Sequence, residues 1–365
     1  MSESRAIHQL VHTLSYGDAI STEVLALQRT LQALGYQSEI FAIGEHVRLK
    51  GRSRPYREVL QSESADLILH YSLGSPLNEV YASWNRGRRT LVYHNITPAK
   101  WFEGVNARVS RDIERGLSDL PALCAASDAI WADSQFNADE LAALGFRSEV
   151  LELLVDPGRW GLPRNETVYA DVRRLARMNI LHVGRLAPNK RVEDILKAFR
   201  FLHVGLEPDS KLWLVGIDTD TELYSFSLRE MAARLGIGGA VEFTGCLSDE
   251  GVRALYEACD AYICMSEHEG FCLPLVEAMH FGLPLVAFGA GAVADTVGDG
   301  GVVVSEKRHA QLGQLLYDMA IPGELREKLV AHGRRRVAHF SEERFRARVA
   351  DLVSRQHEAR KAQGA

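Results

Sequence analysis

The sequence has no uncharged apolar stretch approaching the ~20 residues that a membrane-spanning helix needs, and MSESRAIHQLVHTL lacks the long apolar core of a secretory leader. The expectation is a cytoplasmic protein, peripheral at most on the inner face of the membrane. Cysteine is sparse. Cys124, Cys246, Cys259, Cys264 and Cys272 include no C-x-x-C pair and mostly sit in apolar runs, so neither a disulfide framework nor a zinc site is expected. A basic surplus is missing too. With 42 Lys and Arg against 48 Asp and Glu, the formal charge of -6 is the wrong sign for displacing counterions from nucleic-acid phosphate, which excludes a general nucleic-acid binder. Low-complexity tracts and short repeats are also absent.

What is present suits a globular protein of two domains: 365 residues, 46% of them hydrophobic and 25% charged. Basic residues gather at Arg48, Lys50, Arg52, Arg54 and Arg57, and again at Arg86, Arg88 and Arg89. They read either as solvated faces or as a patch for anionic lipid or a polyanionic acceptor.

Short apolar runs alternate with stretches of helical period, the pattern of a parallel sheet covered by helices. Strands are expected at Ile7 to Leu14, Ser38 to Ile43, Asp66 to Tyr71, Thr90 to His94, Ala129 to Ala132 and Ser148 to Leu151. The first helix, Ala19 to Leu34, sets Val24, Leu27, Leu31 and Leu34 on one face, and Gly35 stops it. From Leu153 to about Asn179 the periodicity breaks around Asp156-Pro157-Gly158 and Leu162-Pro163, which marks a linker and a short surface helix. Alternation then restarts with strands at Ile180 to Val183, Lys211 to Val215, Val241 to Phe243, Ala261 to Met265 and Pro284 to Phe288. Two long helical segments, about Gly323 to His339 and Ser341 to Arg355, close the sequence. The fold class is α/β, with two Rossmann-like, doubly wound domains.

Ligands of open α/β sheets bind beyond the carboxyl ends of the strands, so the loops there carry the chemistry. Gly184-Arg185-Leu186-Ala187-Pro188-Asn189-Lys190 follows a strand, and its arginine and lysine, five residues apart around a proline, can converge on one diphosphate. In EHEGFCLPLVEAM, Glu267 to Met279, Gly270 permits a tight bend and Pro274 suits a first helical turn. Glu269 should then lie in the loop and Glu277 about one turn inside the helix, both facing one cavity, with amides around Phe271 to Leu275 turned to phosphate. Ser15 to Ala19 is no G-x-G-x-x-G fingerprint, but Gly17 at a helix start can admit a phosphate or sugar close to the backbone. His94, directly after an apolar strand, can hydrogen-bond a sugar hydroxyl or stabilise charge near the reacting carbon, or be structural.

These residues resemble the GT-B glycosyltransferases of glycosyltransferase family 4, over nearly the whole second domain and more loosely over the first. The specific element is E-x7-E, Glu269 and Glu277, followed by FGLPLVAF; HVGRLAPNKRVEDILKAF is similar to the family's diphosphate segment. LSYGDAISTEVLALQRTLQALGY and YHNITP resemble a bacterial branch acting on surface polysaccharides or related glycans.

The resemblance implies two domains facing a central cleft: an acceptor domain over 1-160, completed by a helix at 341-358 that crosses back to it, and a donor domain over 161-340. It implies a retaining hexosyltransferase using GDP-mannose or a UDP-hexose as donor and a glycan, lipid-linked or small molecule as acceptor. Neither cofactor nor metal is implied; the nucleotide sugar is a substrate. Arg185 and Lys190 would bind the diphosphate, Glu277 the ribose, and Glu269 the transferred sugar; His94 would sit near the reacting sugar. Gly17, Gly184, Leu247, Gly270, Phe271, Cys272 and Leu273 would complete the donor site, with Asp18, Tyr71, Ser72 and Asn95 toward the acceptor. The alternatives are a catalytically silent nucleotide-sugar scaffold, a GT-B-like epimerase or phosphorylase, and a Rossmann dehydrogenase, the last disfavoured by the missing fingerprint.

Overall fold

The computed structural model describes residues 6–363, which divide into two compact units, 6–99 with 110–154 and 342–363, and 100–109 with 155–341. In the first unit the strands are β1 (Ile7–Leu14), β2 (Ile40–Glu45), β3 (Arg54–Pro55), β4 (Asp66–Tyr71), β5 (Arg89–Tyr93), β6 (Ala129–Ala132) and β7 (Glu149–Val150). They pair in parallel in the order β3-β2-β1-β4-β5-β6-β7. Every residue of β4 is buried, the continuous apolar run of a strand covered on both faces.

The second unit holds β8 (Met178–Val183), β9 (Ser210–Val215), β10 (Val241–Gly245), β11 (Ala261–Cys264), β12 (Leu285–Phe288) and β13 (Val302–Val304). Their order is β10-β9-β8-β11-β12-β13, again all parallel. Each sheet therefore reverses its winding once, between β1 and β4 and between β8 and β11. Crevices at such switch points are where an open parallel sheet takes ligands.

The first helix, Ala19–Ala33, shows how local chemistry sets an element. The Asp18 side chain accepts from the Ser21 amide at 3.0 Å and caps its start. At its end Gly35 adopts φ +91°, and the Gly35 and Tyr36 amides bond back to Gln32 and Leu31, each at 3.0 Å. That is a Schellman closure, which needs a residue without a β carbon. Val24, Leu27 and Leu31 are buried as the periodicity requires, but Leu34 is 41% exposed, because the closure turns the chain off the helical track.

The final helix, Glu342–Gln363, supplies Phe345, Val349, Leu352 and Val353 to the same core cluster as Ile7, Ile68 and Trp131, so it belongs to the first unit. The units change over at 154/155 and 341/342, and Lys100–Val109 joins the second unit as an excursion that a linear division does not anticipate. Asn106 Nδ2 donates to the Asp220 carbonyl at 3.0 Å and anchors it. Two strands escape a reading of periodicity, β3 with two residues and β13 with three, since neither is long enough to show alternation.

Candidate functional site

At the second switch point the loop after β8 and the loop after β11 are tied together by backbone and side chain. The Glu267 amide donates to the Asn189 carbonyl at 2.8 Å, and Asn189 Nδ2 donates to the His268 carbonyl at 3.2 Å. These bonds present Lys190 to Glu269, whose two oxygens accept from Lys190 Nζ at 2.7 and 2.8 Å. Burial works against charge on both groups. It opposes the Lys190 ammonium, yet Glu269 beside it holds that pKa above the ordinary lysine value; it opposes the Glu269 carboxylate, yet Lys190 holds that pKa below the ordinary value. Ser266 and Cys272 also hydrogen-bond Glu269. The result is a fixed, oriented carboxylate beside a fixed cation.

Arg185 points elsewhere. It pairs with Asp220, its guanidinium lies 5.4 Å from the centre of the Phe102 ring, and its Nε is buried without a hydrogen-bond partner. A buried guanidinium donor left over in this way suits an anionic ligand. Arg185 and Lys190, expected to converge on one diphosphate, are each held by a carboxylate of their own, Asp220 and Glu269.

Glu277 and Glu269 do not share surroundings either. Glu277 lies in the helix Leu273–His280, 2% exposed, with Oε1 accepting from Arg159 at 2.7 Å and Oε2 from the Tyr256 hydroxyl at 2.9 Å. Burial raises its pKa, with Arg159 pulling the other way. Arg159 also donates to Asp249 at 2.6 Å. The two carboxylates of E-x7-E are thus held by different partners, Glu269 by Lys190 and Glu277 by Arg159 and Tyr256. A helix turns about 100° per residue, so the neighbours of a residue in its second turn are set by what packs there.

Around them, Pro274 occupies the first turn of the helix and Cys272, at φ +71°, is its N-cap with no side-chain capping bond. Phe271 and Leu273 are buried, Gly184 and Gly270 half-buried. Leu247 is half-buried in the loop after β10, just before Ser248 caps the helix Asp249–Ala258.

The first switch point differs in kind. His94 follows β5, but its ring is not presented for a sugar hydroxyl: Nδ1 lies 3.0 Å from Asp133 and 3.4 Å from Glu23, and Nε2 lies 2.8 Å from His70 Nδ1. His70 Nε2 in turn meets Gln9 Oε1 at 2.9 Å. The amide oxygen can only accept, so His70 donates there and its Nδ1 must accept from His94. His94 therefore carries both protons. Burial opposes that charge, but Asp133 and Glu23 push its pKa up to about 9, while burial and His94 hold His70 well below the histidine range. Burial and Asp133 raise Glu23 to about 8. The direct role foreseen for His94 gives way to a buried relay, because the apolar strand that made it visible also draws it inward.

Other first-unit candidates are also spoken for. Tyr71 is 1% exposed and its hydroxyl donates to the Gly116 carbonyl at 2.6 Å, so it is a core residue. Asp18 spends its carboxylate on Ser21, and Asn95, at φ +71°, donates to Asn137 and Glu140 at 3.0 and 2.7 Å. Gly17 is exposed with φ +77°, and Ser72 is half-buried.

Sequence reasoning missed Arg159, Asp249, Tyr256, Asp220 and His182. Arg159 lies beside the Asp156-Pro157-Gly158 punctuation, which marked a linker and hid the arginine that holds Glu277. His182, in β8, bonds the Ile263 carbonyl at 2.9 Å through Nδ1, while Nε2 is buried without a partner; burial lowers its pKa to about 4, so the ring is neutral. Also missed was Gly289-Ala290-Gly291-Ala292 after β12. At Gly291, φ +60°, a β carbon would meet the Glu269 carbonyl oxygen at 2.3 Å, and the Ala292 amide bonds that oxygen at 3.0 Å. This loop holds the Glu269 backbone in place.

Residues 174–336 match the family Glycosyl transferases group 1. The chain is 27% identical over 161 residues to O-antigen chain mannosyltransferase B of Escherichia coli, covering 44% of this chain and 42% of that one. It is 38% identical over 157 residues to MMP alpha-(1->4)-mannosyltransferase of Mycolicibacterium hassiacum, covering 41% and 36%. The matched stretch thus spans about two-fifths of either relative. Sucrose-phosphate synthase from Thermosynechococcus elongatus superposes with a TM-score of 0.74 at 17% identity, over 97% of this chain and 100% of that one.

The fold is GT-B, two parallel-sheet Rossmann-like units. The match to the group 1 glycosyl transferase family falls within its second unit. Among the described residues, no helix is long and apolar enough to cross a membrane.

Proposed function

We propose that the chain is a retaining glycosyltransferase that moves a mannosyl group from GDP-mannose to a glycan acceptor in polysaccharide synthesis. The observation that carries the reading is the Lys190–Glu269 pair at the switch point of a group 1 domain. Mannosyl transfer is favoured by the two relatives named as mannosyltransferases.

In this reading Lys190 and the unpartnered Nε of Arg185 take the donor diphosphate, and the N-terminus of the helix Leu273–His280 adds its partial positive charge. As the glycosidic bond to phosphate lengthens, those cations stabilise the departing charge without a metal. The acceptor oxygen attacks on the face the diphosphate leaves, so the anomeric configuration is kept, and the departing phosphate takes the acceptor's proton. Glu269 accepts from hydroxyls of the transferred sugar. Glu277, oriented by Arg159 and Tyr256, takes the ribose through a remaining lone pair. The first unit reads the acceptor, with Gly17 and Ser72 in its loops, and peripheral contact with the inner membrane face fits a lipid-linked acceptor.

Calorimetric titration with GDP, UDP, ADP and their mannose and glucose conjugates tests the donor. The reading expects GDP-mannose to bind with EDTA present and the one-bond carbon–hydrogen coupling at the anomeric carbon of the product to match that of the donor. Selective binding of another nucleotide, or an inverted product, overturns it.

A further inference from the structure

Cys264, the last residue of β11, and Cys272, the N-cap of the helix Leu273–His280, bring their thiols together. Cys264 Sγ and Cys272 Sγ lie 3.9 Å apart, and with a Glu269 carboxylate oxygen they form a triad whose atoms all lie within 4.8 Å of one another. Ser266 Oγ, 3.3 Å from Cys264 Sγ, adds a fourth polar group. Two thiolates on one tetrahedral zinc(II), with bonds of about 2.3 Å, stand about 3.8 Å apart, and a thiolate and a carboxylate oxygen about 3.5 Å apart. The sulfurs already have that spacing.

We propose that Cys264, Cys272 and Glu269 form a binding site for a thiophilic divalent cation of the zinc(II) class, and that its occupation withdraws Glu269 from Lys190.

Charge supports the assignment. On binding, the two thiols release their protons, so two thiolates, one carboxylate and one divalent ion sum to a single negative charge, which the Lys190 ammonium neutralises. The other described cluster of possible ligands, Glu23, His70 and His94, lacks these properties. His70 Nδ1 and His94 Nε2 are 2.8 Å apart, a hydrogen bond, and closer than the roughly 3.3 Å between two imidazole nitrogens on one tetrahedral zinc. Cys272 also stands at φ +71°, where glycine is the unstrained choice, so Cys272→Gly removes a ligand without opposing the backbone.

The site does not depend on the transferase reading, but its consequence does: a filled site competes with the donor. The test uses the full chain with its thiols reduced and exposed Cys246 replaced by Ser, titrated with cobalt(II). One equivalent should raise a thiolate-to-cobalt charge-transfer band that zinc(II) bleaches stoichiometrically, and Cys264→Ala and Cys272→Gly should each abolish it. No band in the reduced protein, or a band that survives in either variant, overturns the proposal. In a second arm, one buffered equivalent of zinc(II) should weaken GDP-mannose binding at least tenfold in the parent and leave that of Cys264→Ala unchanged. An unchanged affinity beside a positive cobalt band overturns the competition. If GDP-mannose fails to bind with or without zinc, the functional reading falls and the cobalt result still decides the site.

Discussion

The two sheets wind alike and reverse once each, yet their switch points are furnished oppositely. In the second unit the groups beyond β8 and β11 are ionised pairs that keep some contact with solvent: the Lys190 side chain is 21% exposed and that of Arg185 33%. In the first unit the groups beyond β1 and β5 are fully withdrawn, with the Glu23 side chain, in the helix after β1, 0% exposed and that of His94, after β5, 1%. The difference teaches that one topology supports two electrostatic designs. One leaves paired charges partly open to solvent; the other withdraws a chain of hydrogen-bonded titratable groups into the core beside interior strands.

The strongest way to break this contrast is Lys190→Ala. It leaves Glu269 buried without its cation, so we expect GDP-mannose binding and transfer to fall at least a hundredfold and stability to drop by about 2–4 kcal/mol. Calorimetry and urea unfolding check it, and wild-type donor affinity would remove Lys190 from the site. Gly291→Ala asks whether the loop behind Glu269 matters. Its β carbon meets backbone at φ +60°, so a loss of about 2–3 kcal/mol and a comparable weakening of donor binding are expected in the same assays.

The pH dependences should run in opposite directions. With His94 raised to about 9 from 6.5 and Glu23 to about 8 from 4.5, the folded first unit holds protons more tightly than the unfolded chain. The His94 contribution is complete below pH 6.5, and the stability of that unit should fall as pH rises toward 9. Glu269 is lowered, so its contribution is present above the ordinary carboxylate value and is lost on acidification. Amide exchange in β4 and β5 followed from pH 6 to about 9 reads the first limb. Asp133→Asn should cost about 2 kcal/mol at pH 7 and move that limb to lower pH; an unmoved limb would refute the relay. The smallest effect is expected of Tyr256→Phe, which strips one bond from Glu277: about 1 kcal/mol, read as a several-fold loss of GDP affinity in a fluorescence titration.

Much of the fold was legible because apolar runs such as Asp66–Tyr71 and turn residues such as Gly35 speak locally. The loops of the candidate site were legible for the same reason: a glycine bend, Pro274 in a first turn and a lysine after a strand are neighbours in sequence. Arg159, Asp220 and Tyr256 were not, because their partners lie 118 residues away at Glu277 for Arg159, in another loop at Arg185 for Asp220, and across a helix for Tyr256. Residues 100–109, crossing to the second unit from the middle of the first, leave no trace in local periodicity.

By itself the sequence determined the fold class and where along the chain its loops would carry charge, since periodicity, caps and short motifs act over a few residues. Tertiary structure alone decided which carboxylate meets which cation, that His94 is buried with two protons instead of presented, and that two cysteines eight residues apart bring their sulfurs to 3.9 Å. Those outcomes rest on desolvation and pairing between distant segments, and only a packed chain sets them.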